Sequence, residues 1–341
     1  MVKARKWILK EDFKGEPTLE NFKLVEEDLP ELQDGEIFIE ALFLTVDPYI
    51  RVFSNKVGQP PVGQQVARVT QSKHANYPVG KLVLAMVGWR DKTVIAADAE
   101  NPYYVPPFSP PKAISDLPDL GDFSPSLYLG VLGMPGMTAY FGFLEKCHPK
   151  PGDVVLVNAA AGAVGSVVGQ IAKIKGCTVI GSTSSKEKCD WLKELGFDHV
   201  FNYKEISVEE ALQKYAPNGV DCYFDNVGRE YTRTVLPLMN RHGRVCACGQ
   251  ISEYNATKIP PDVLTRRDII NTIMLKELVV SGVMVYTFSD RFNEARTEMA
   301  QWIREGKLKF AETIREGFLK LPETFIEIFK STAKGKLLVK A

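Results

Sequence analysis

Apolar and polar positions change their rhythm once along this chain, near residue 150. Before that point, apolar runs such as 36–44 and 81–87 are short and end in turn clusters such as Gln33-Asp34-Gly35 and Gln59-Pro60-Pro61. Runs bounded in this way read as strands, so the region up to about residue 125 is expected to be β-rich. The proline- and serine-rich stretch 101–118 reads as a surface loop or a boundary. From residue 152 onward, short apolar runs alternate with helical patterns. Strands are predicted at Val154–Val157, 178–180, 221–224 and 244–247, with helices through 171–175, over 186–195 and near 230–240. That alternation argues a parallel sheet covered on both faces. A late strand over 279–285 and an amphipathic helix over 291–305 follow. The run 310–314, a helix near 322–329 and a short strand at 337–339 end the chain. The order predicts a β-rich domain over 1–126, an α/β domain over 127–308 and a return to the first domain over 309–341.

At 341 residues the chain is long for one core, which agrees with two domains. Lys plus Arg and Asp plus Glu both number 42, so no global basic field would hold nucleic acid or an anionic membrane. No apolar stretch reaches the length of a membrane span, and the polar, basic start lacks the apolar run of a secretory signal. Six scattered cysteines suit reduced thiols better than a disulfide framework, and a cytoplasmic location is expected.

Candidate chemistry is densest where the strand Val154–Val157 runs into Ala160-x-Gly162-x-x-Gly165 and then a helix. Strand, glycine turn and helix form the context of a dinucleotide-binding fingerprint, here with alanine replacing the first glycine. Gly162 would let the backbone approach a pyrophosphate, and Gly165 would let the helix pack tightly. Packing alone also accounts for small residues at such a junction. An NAD site places a carboxylate at the end of the second strand, but this strand exits through Ser182-Thr183-Ser184-Ser185, followed by Lys186 and Lys188. Hydroxyls and ammonium groups suit a 2′-phosphate, so NADPH/NADP+ is the expected coenzyme. The bland alternative is a helix start with solvated lysines.

Five blocks, NAAAGAVGSVVGQIAKIKGC, LFLTVDPYIR, GMPGMTAYFG, DCYFDNVG and CGQISEYN, resemble the prostaglandin reductase branch of the zinc-independent medium-chain dehydrogenase/reductases. The branch includes leukotriene B4 dehydrogenases, alkenal/one reductases and plant double-bond reductases, and the resemblance runs the length of the chain. It implies an α/β fold: a doubly wound parallel Rossmann sheet plus a β-rich, GroES-like catalytic domain completed by the C-terminus. It also implies that Gly162, Ala163, Val164 and Gly165 hold the pyrophosphate and that Lys188 and Tyr203 contact the adenosine phosphate. Asn226 would lie beside the coenzyme. Cys248, Gly249, Gln250, Ile251, Ser252 and Tyr254 would line the nicotinamide side, and Val283, Met284 and Val285 would form a backbone edge near the carboxamide. The branch usually has Asn where this chain has Ala333, before Lys334-Gly335-Lys336, so that side-chain contact is missing or made otherwise.

Zinc enzymes of this architecture need an early cysteine and a Gly-His-Glu motif. Here no cysteine precedes Cys147, and His74, His148, His199 and His242 are isolated. Cys246 and Cys248 are read as two thiols on one face of a strand, packed in a core. No metal is expected. The resemblance then implies reduction of a carbon–carbon double bond conjugated to a carbonyl, with Tyr49 and Tyr254 shaping the catalytic site as neutral hydrogen-bond donors. Each tyrosine also reads as an amphipathic wall residue, and Asp47-Pro48 as a turn that presents Tyr49. Tyr49, Tyr254, Met284, Tyr286 and the loop 255–261 are expected to line an apolar cleft between domains. Substrates implied are enones and enals such as 15-oxo-prostaglandins and 4-hydroxynonenal, with oxidation of leukotriene B4 at its 12-hydroxyl as a related activity. Arg51 and Arg266 are candidates for a substrate carboxylate. A homodimer is the family expectation. The competing readings are a quinone reductase of the same superfamily and a non-enzymatic, crystallin-like NADPH-binding protein.

Overall fold

In the computed structural model the residues described are 2–54, 56–106, 108–121, 123–257 and 266–341. The chain divides into unit 1 (Met1–Gly130, Glu312–Ala333, Leu337–Ala341) and unit 2 (Val131–Ala311, Lys334–Lys336). Unit 1 begins with β1 (Val2–Leu9), β2 (Phe22–Leu29), β3 (Glu36–Thr45) and the short helix α1 (Ile50–Phe53). Then come β4 (Gln65–Ser72), β5 (Leu82–Ala85), β6 (Lys92–Ala96) and β7 (Ile114–Asp116). Unit 2 contributes α2 (Met134–Gly142), β8 (Val154–Val157), α3 (Gly165–Ile174), β9 (Thr178–Thr183), α4 (Lys186–Glu194) and β10 (His199–Asn202). It continues with α5 (Val208–Tyr215), β11 (Val220–Asp225), α6 (Arg229–Val235), β12 (Met239–Ala247), α7 (Arg266–Lys276), β13 (Val279–Gly282) and α8 (Phe292–Arg304). The tail adds β14 (Glu312–Glu316), α9 (Leu321–Phe329) and β15 (Lys336–Lys340).

In unit 1 a sheet runs β14-β15-β3-β4-β5-β7, with β6 also on β3, and β1 pairs β2 separately. The tail strand lies antiparallel to β3, with Val339 opposite Leu44. Its Leu337 and Val339 join Phe22, Ile50, Trp89 and Phe325 in one core. Trp89 stacks on Phe22 at 5.5 Å and meets Phe325 edge-on at 5.9 Å. Such aromatic pairs add about 0.5–1.5 kcal/mol each beyond the area they bury, so the tail is part of what holds this unit together.

Unit 2 has six strands in the order β10-β9-β8-β11-β12-β13, all parallel. Val155, Leu156 and Val157 are fully buried, as a central strand covered on both faces requires. The strand order reverses at β8, whose neighbours are β9 on one side and β11 on the other. In open α/β sheets the crevice at that reversal, beyond the strands' carboxyl ends, is where ligands bind.

The structure corrects several local expectations. The helix near 230–240 stops at Val235; a 3-10 turn, Leu236–Leu238, follows, and β12 already starts at Met239. Pro237 lies in that turn and lacks the N–H a continuing helix needs. The late strand ends at Gly282 rather than residue 285, and the run 310–314, to which the pattern assigns no element, overlaps β14. The stretch 101–118 contains β7, because Ile114 is buried opposite Ala85. Cys248 stands beyond the end of β12, so Cys246 and Cys248 do not share a strand face.

Candidate active site

At the carboxyl end of β8 the chain turns sharply, with Ala159 at φ +44°. The Ala160 N–H donates to the Ser182 carbonyl at 3.0 Å and the Gly162 N–H to the Ala159 carbonyl at 3.0 Å, which fixes the turn against β9. A Cβ on Gly165 would stand 2.7 Å from the Ala159 oxygen and 2.8 Å from the Ala160 Cα, so only glycine lets α3 start this close to the strand. A Cβ on Gly162 would meet only the Ala159 oxygen, at 3.2 Å, and space is otherwise open there. Ala163 and Val164 complete the turn, and α3 leaves it with its first backbone N–H groups and positive dipole end at this point.

The second strand ends in hydroxyls. Ser182 and Thr183 are buried, and the Ser185 side chain caps α4 by accepting from the Lys188 N–H at 3.3 Å. The structure separates the two lysines that follow. Lys186 is exposed and pairs with Asp190 one turn on, whereas Lys188 is buried. Burial pulls the Lys188 pKa below the usual lysine range, and the like charges of Lys204 and Lys334 act in the same direction against Glu187. Tyr203 is exposed at the end of β10, where its N–H donates to the Thr183 carbonyl at 3.0 Å.

Beyond β11 the buried Asp225 organises the turn. Its carboxylate accepts from Asn158 Nδ2 at 2.8 Å and from the N–H groups of Val227 and Gly228 at 3.0 and 2.9 Å, and Thr232 donates to its second oxygen. Asn158 in turn accepts the Asn226 N–H at 2.6 Å, and Asn226 Nδ2 donates to the Asn158 carbonyl at 3.0 Å. Asn226 is thus held by backbone and side chain at the end of β11. Sequence reasoning named Asn226 but missed Asn158 and Asp225. The available signal was a pair of polar residues closing two apolar strands, where an unpaired polar group would be costly.

The segment after β12 folds back on this turn. The N–H groups of Cys248 and Gly249 donate to the Asp225 carbonyl at 2.8 and 3.1 Å, Ile251 to that of Asn226 at 3.2 Å, and Ser252 to that of Val227 at 3.3 Å. Tyr254 brings its phenol over this backbone: a Cβ on Gly249 would lie 3.4 Å from its oxygen. Burial raises the phenol's pKa, partly offset by a backbone hydrogen bond from Gln250. Burial pushes the Cys248 thiol up to about 12, so it stays protonated and unreactive near neutrality. Val283 and Val285 are buried and Met284 is exposed; the Val283 N–H donates to the Ala247 carbonyl at 3.3 Å.

Tyr49 belongs to unit 1, where it stands at the start of α1 and packs against the core. The expected turn is present: the Ile50 and Arg51 N–H groups donate to the Asp47 and Pro48 carbonyls, both at 3.1 Å, and Thr45 donates to the Asp47 carboxylate. Tyr49, Phe53 and Phe108 form a line of rings with centroids 6.3 and 5.5 Å apart, and the last two are exposed. Arg51 is a poor carboxylate ligand, since its guanidinium stacks over Phe13 at 4.9 Å and donates to the Phe13 and Gly15 carbonyls. The side chain of Arg266 and residues 258–261 of the expected lining loop lie outside the described residues.

Three of the four histidines have other partners: His199 stacks on Tyr215 at 4.7 Å, His242 faces Glu277 at 3.2 Å, and His74 leans on Tyr77. Among the described residues no three His, Cys, Asp or Glu side chains converge as a metal site.

Residues 5–102 match a family model described as the N-terminal domain of oxidoreductase, and residues 163–304 match one described as zinc-binding dehydrogenase. Together with the fold they define a medium-chain dehydrogenase/reductase, although among the described residues no ligand set converges for the zinc in the second description. Prostaglandin reductase 1 of rabbit, Oryctolagus cuniculus, is 47% identical over 90% of this chain and 84% of its own length. That of pig, Sus scrofa, is 45% identical over the whole of both chains. The crystal structure of CurA in complex with NADPH from Vibrio vulnificus superposes with TM-score 0.89 at 36% identity, covering 99% of each chain. The chain belongs to the prostaglandin reductase 1 family of zinc-independent medium-chain reductases.

Proposed function

We propose that this chain is an NADPH-dependent reductase of the carbon–carbon double bond in α,β-unsaturated ketones and aldehydes. The observation that carries the reading is the buried Lys188 behind a hydroxyl-lined strand end, where an NAD enzyme would keep a carboxylate. Relatives named prostaglandin reductase 1 and a neighbour solved with NADPH support it. When bound, NADPH supplies a hydride for the β-carbon of the substrate. The turn at 162–165 holds the pyrophosphate with backbone N–H groups, and Asn226, locked through Asn158 and Asp225, keeps the sheet end rigid for the nicotinamide side. Negative charge then develops on the substrate carbonyl oxygen, where a preorganised donor lowers the barrier, and a proton drawn ultimately from water reaches the α-carbon to complete the reduction. We assign that donor in unit 2 to Tyr254, whose phenol lies over the Gly249 backbone and is a neutral hydrogen-bond donor. Tyr49 presents an apolar face with a polar tip in unit 1, and the exposed rings of Phe53 and Phe108 beside it suit a long hydrocarbon chain.

This favours 15-oxo-prostaglandins and 4-hydroxynonenal-type alkenals as substrates. Six unpaired thiols suit a reducing compartment, the cytoplasm. The assembly we propose is a homodimer formed through β13, an edge strand with Val279 and Val280 exposed. The test follows coenzyme absorbance with a panel containing a 15-oxo-prostaglandin, 4-hydroxynonenal and an ortho-quinone. Turnover of the first two with NADPH, and little with NADH, is expected. Turnover of the quinone alone would make the chain a quinone reductase, and no turnover at all would leave a binding protein.

A further inference from the structure

The return segment does more than complete unit 1. Residues Lys334–Lys336 belong to unit 2. The Gly335 N–H donates to the Ala161 carbonyl at 2.9 Å, and Gly335 bridges Gly162 in parallel. On its other side the segment is clamped by Ala311, whose carbonyl accepts the Lys336 N–H at 2.9 Å. Gly335 sits at φ +63°, and a Cβ there would stand 2.1 Å from that carbonyl, so glycine is required for the passage. The neighbouring side chain is thereby committed to the phosphate end of the site. Lys334 Nζ lies 2.7 Å from Glu187 Oε1, in the first turn of α4 and next to Lys188.

We infer that Lys334 is a specificity-determining residue that binds the 2′-phosphate of NADPH together with Lys188 and Lys204, with Glu187 holding it in place until the coenzyme arrives. The proposal rests on the NADPH reading and extends it to a residue that no part of that reading uses. Its physical basis is charge. Lys204 and Lys334 both bring positive charge to bear on the buried Lys188, with Glu187 beside Lys334, so cationic groups gather at this corner in a chain of zero net charge. The burial of Lys188 amplifies the effect, since an ammonium that has lost water gains more from a dianion than a solvated one does. The two anchors of the segment matter equally. Because Gly335 is hydrogen-bonded to the Ala161 carbonyl, the backbone that carries Lys334 is fixed against the same turn.

The experiment is calorimetric titration of the full chain with adenosine 2′,5′-bisphosphate and, separately, with 5′-AMP. The wild type is expected to prefer the bisphosphate. Lys334→Ala is expected to weaken the bisphosphate by about tenfold while changing 5′-AMP by less than about twofold, the size of one charge-assisted contact. Lys334→Arg restores the preference, and Glu187→Gln keeps or strengthens it by removing a like charge from beside the phosphate. Salt dependence supplies a readout that a merely structural lysine would not move: the slope of log affinity on log salt becomes shallower in Lys334→Ala, by an amount the wild-type slope calibrates. Equal loss for both ligands, or an unchanged preference in Lys334→Ala, overturns the inference while leaving the NADPH reading intact. A wild type without preference overturns both.

Discussion

Tyr254 shows how one residue's surroundings set its chemistry. Its phenol lies over the Gly249 backbone and has lost water, so the phenolate is disfavoured and the pKa rises above its ordinary value near 10. The protonated, donor-competent form therefore exists throughout the neutral range and is lost only as pH rises through that elevated value. The expected pH profile of kcat shows no alkaline limb from this group below about pH 10. Tyr254→Phe is expected to lower kcat by about 100-fold, the scale of one lost donor to a developing oxyanion, with NADPH affinity nearly unchanged. Wild-type kcat in the variant would remove Tyr254 from the chemistry. At the same scale, local sequence offered Lys186 and Lys188 as equals. The helical turn of α4 points one at Asp190 and solvent and buries the other, a distinction that depends on which face packs inward.

At the scale of elements, the junction of β8 with α3 was legible because its signal is local: an apolar strand, small residues and a helix within a dozen positions. Its two glycines act through different contacts, and that difference can be measured. Gly165→Ala drives a Cβ into backbone atoms of Ala159 and Ala160, so both the melting temperature without coenzyme and the coenzyme affinity fall, the stability by about 1–3 kcal/mol. Gly162→Ala meets only one oxygen at 3.2 Å on an otherwise open side, so the melting temperature holds while NADPH affinity drops. Identical effects of the two substitutions, read by calorimetry and equilibrium binding, would refute this division of roles. Other elements were illegible for physical reasons. β1 mixes basic and apolar residues without a clean alternation, and its pairing with β2 is supported by Lys6 reaching Glu27 across the strands. The extent of β12 back to Met239 depends on its pairing with β11, where Met239 lies opposite Val220, not on its own composition.

At the scale of the molecule, the sheet of unit 2 ends at β13, which pairs only with β12 among the described residues. β13 exposes Val279 and Val280, and α7 exposes Ile270, Met274 and Leu275. Apolar side chains at an open strand edge invite pairing with a second copy. Val280→Lys combined with Leu275→Lys is expected to give monomers in sedimentation while leaving adenosine 2′,5′-bisphosphate binding within about twofold. A dimer that survives both charges would place the interface elsewhere.

What the amino-acid order settled alone was whatever short-range pattern carries: the change from β-rich to alternating α/β texture, the glycine turn between β8 and α3, the missing carboxylate after β9, and the blocks that mark the family. Strand period, helix period and glycine placement act within a few residues, so they are written locally. Tertiary structure alone decided the rest. It buried Lys188, knotted Asn158 and Asp225 across two strands 67 positions apart, and laid Gly335 against Ala161. Those outcomes arise because folding makes neighbours of residues whose separation along the chain leaves no periodic trace, and the energies of burial and pairing exist only once those neighbours meet.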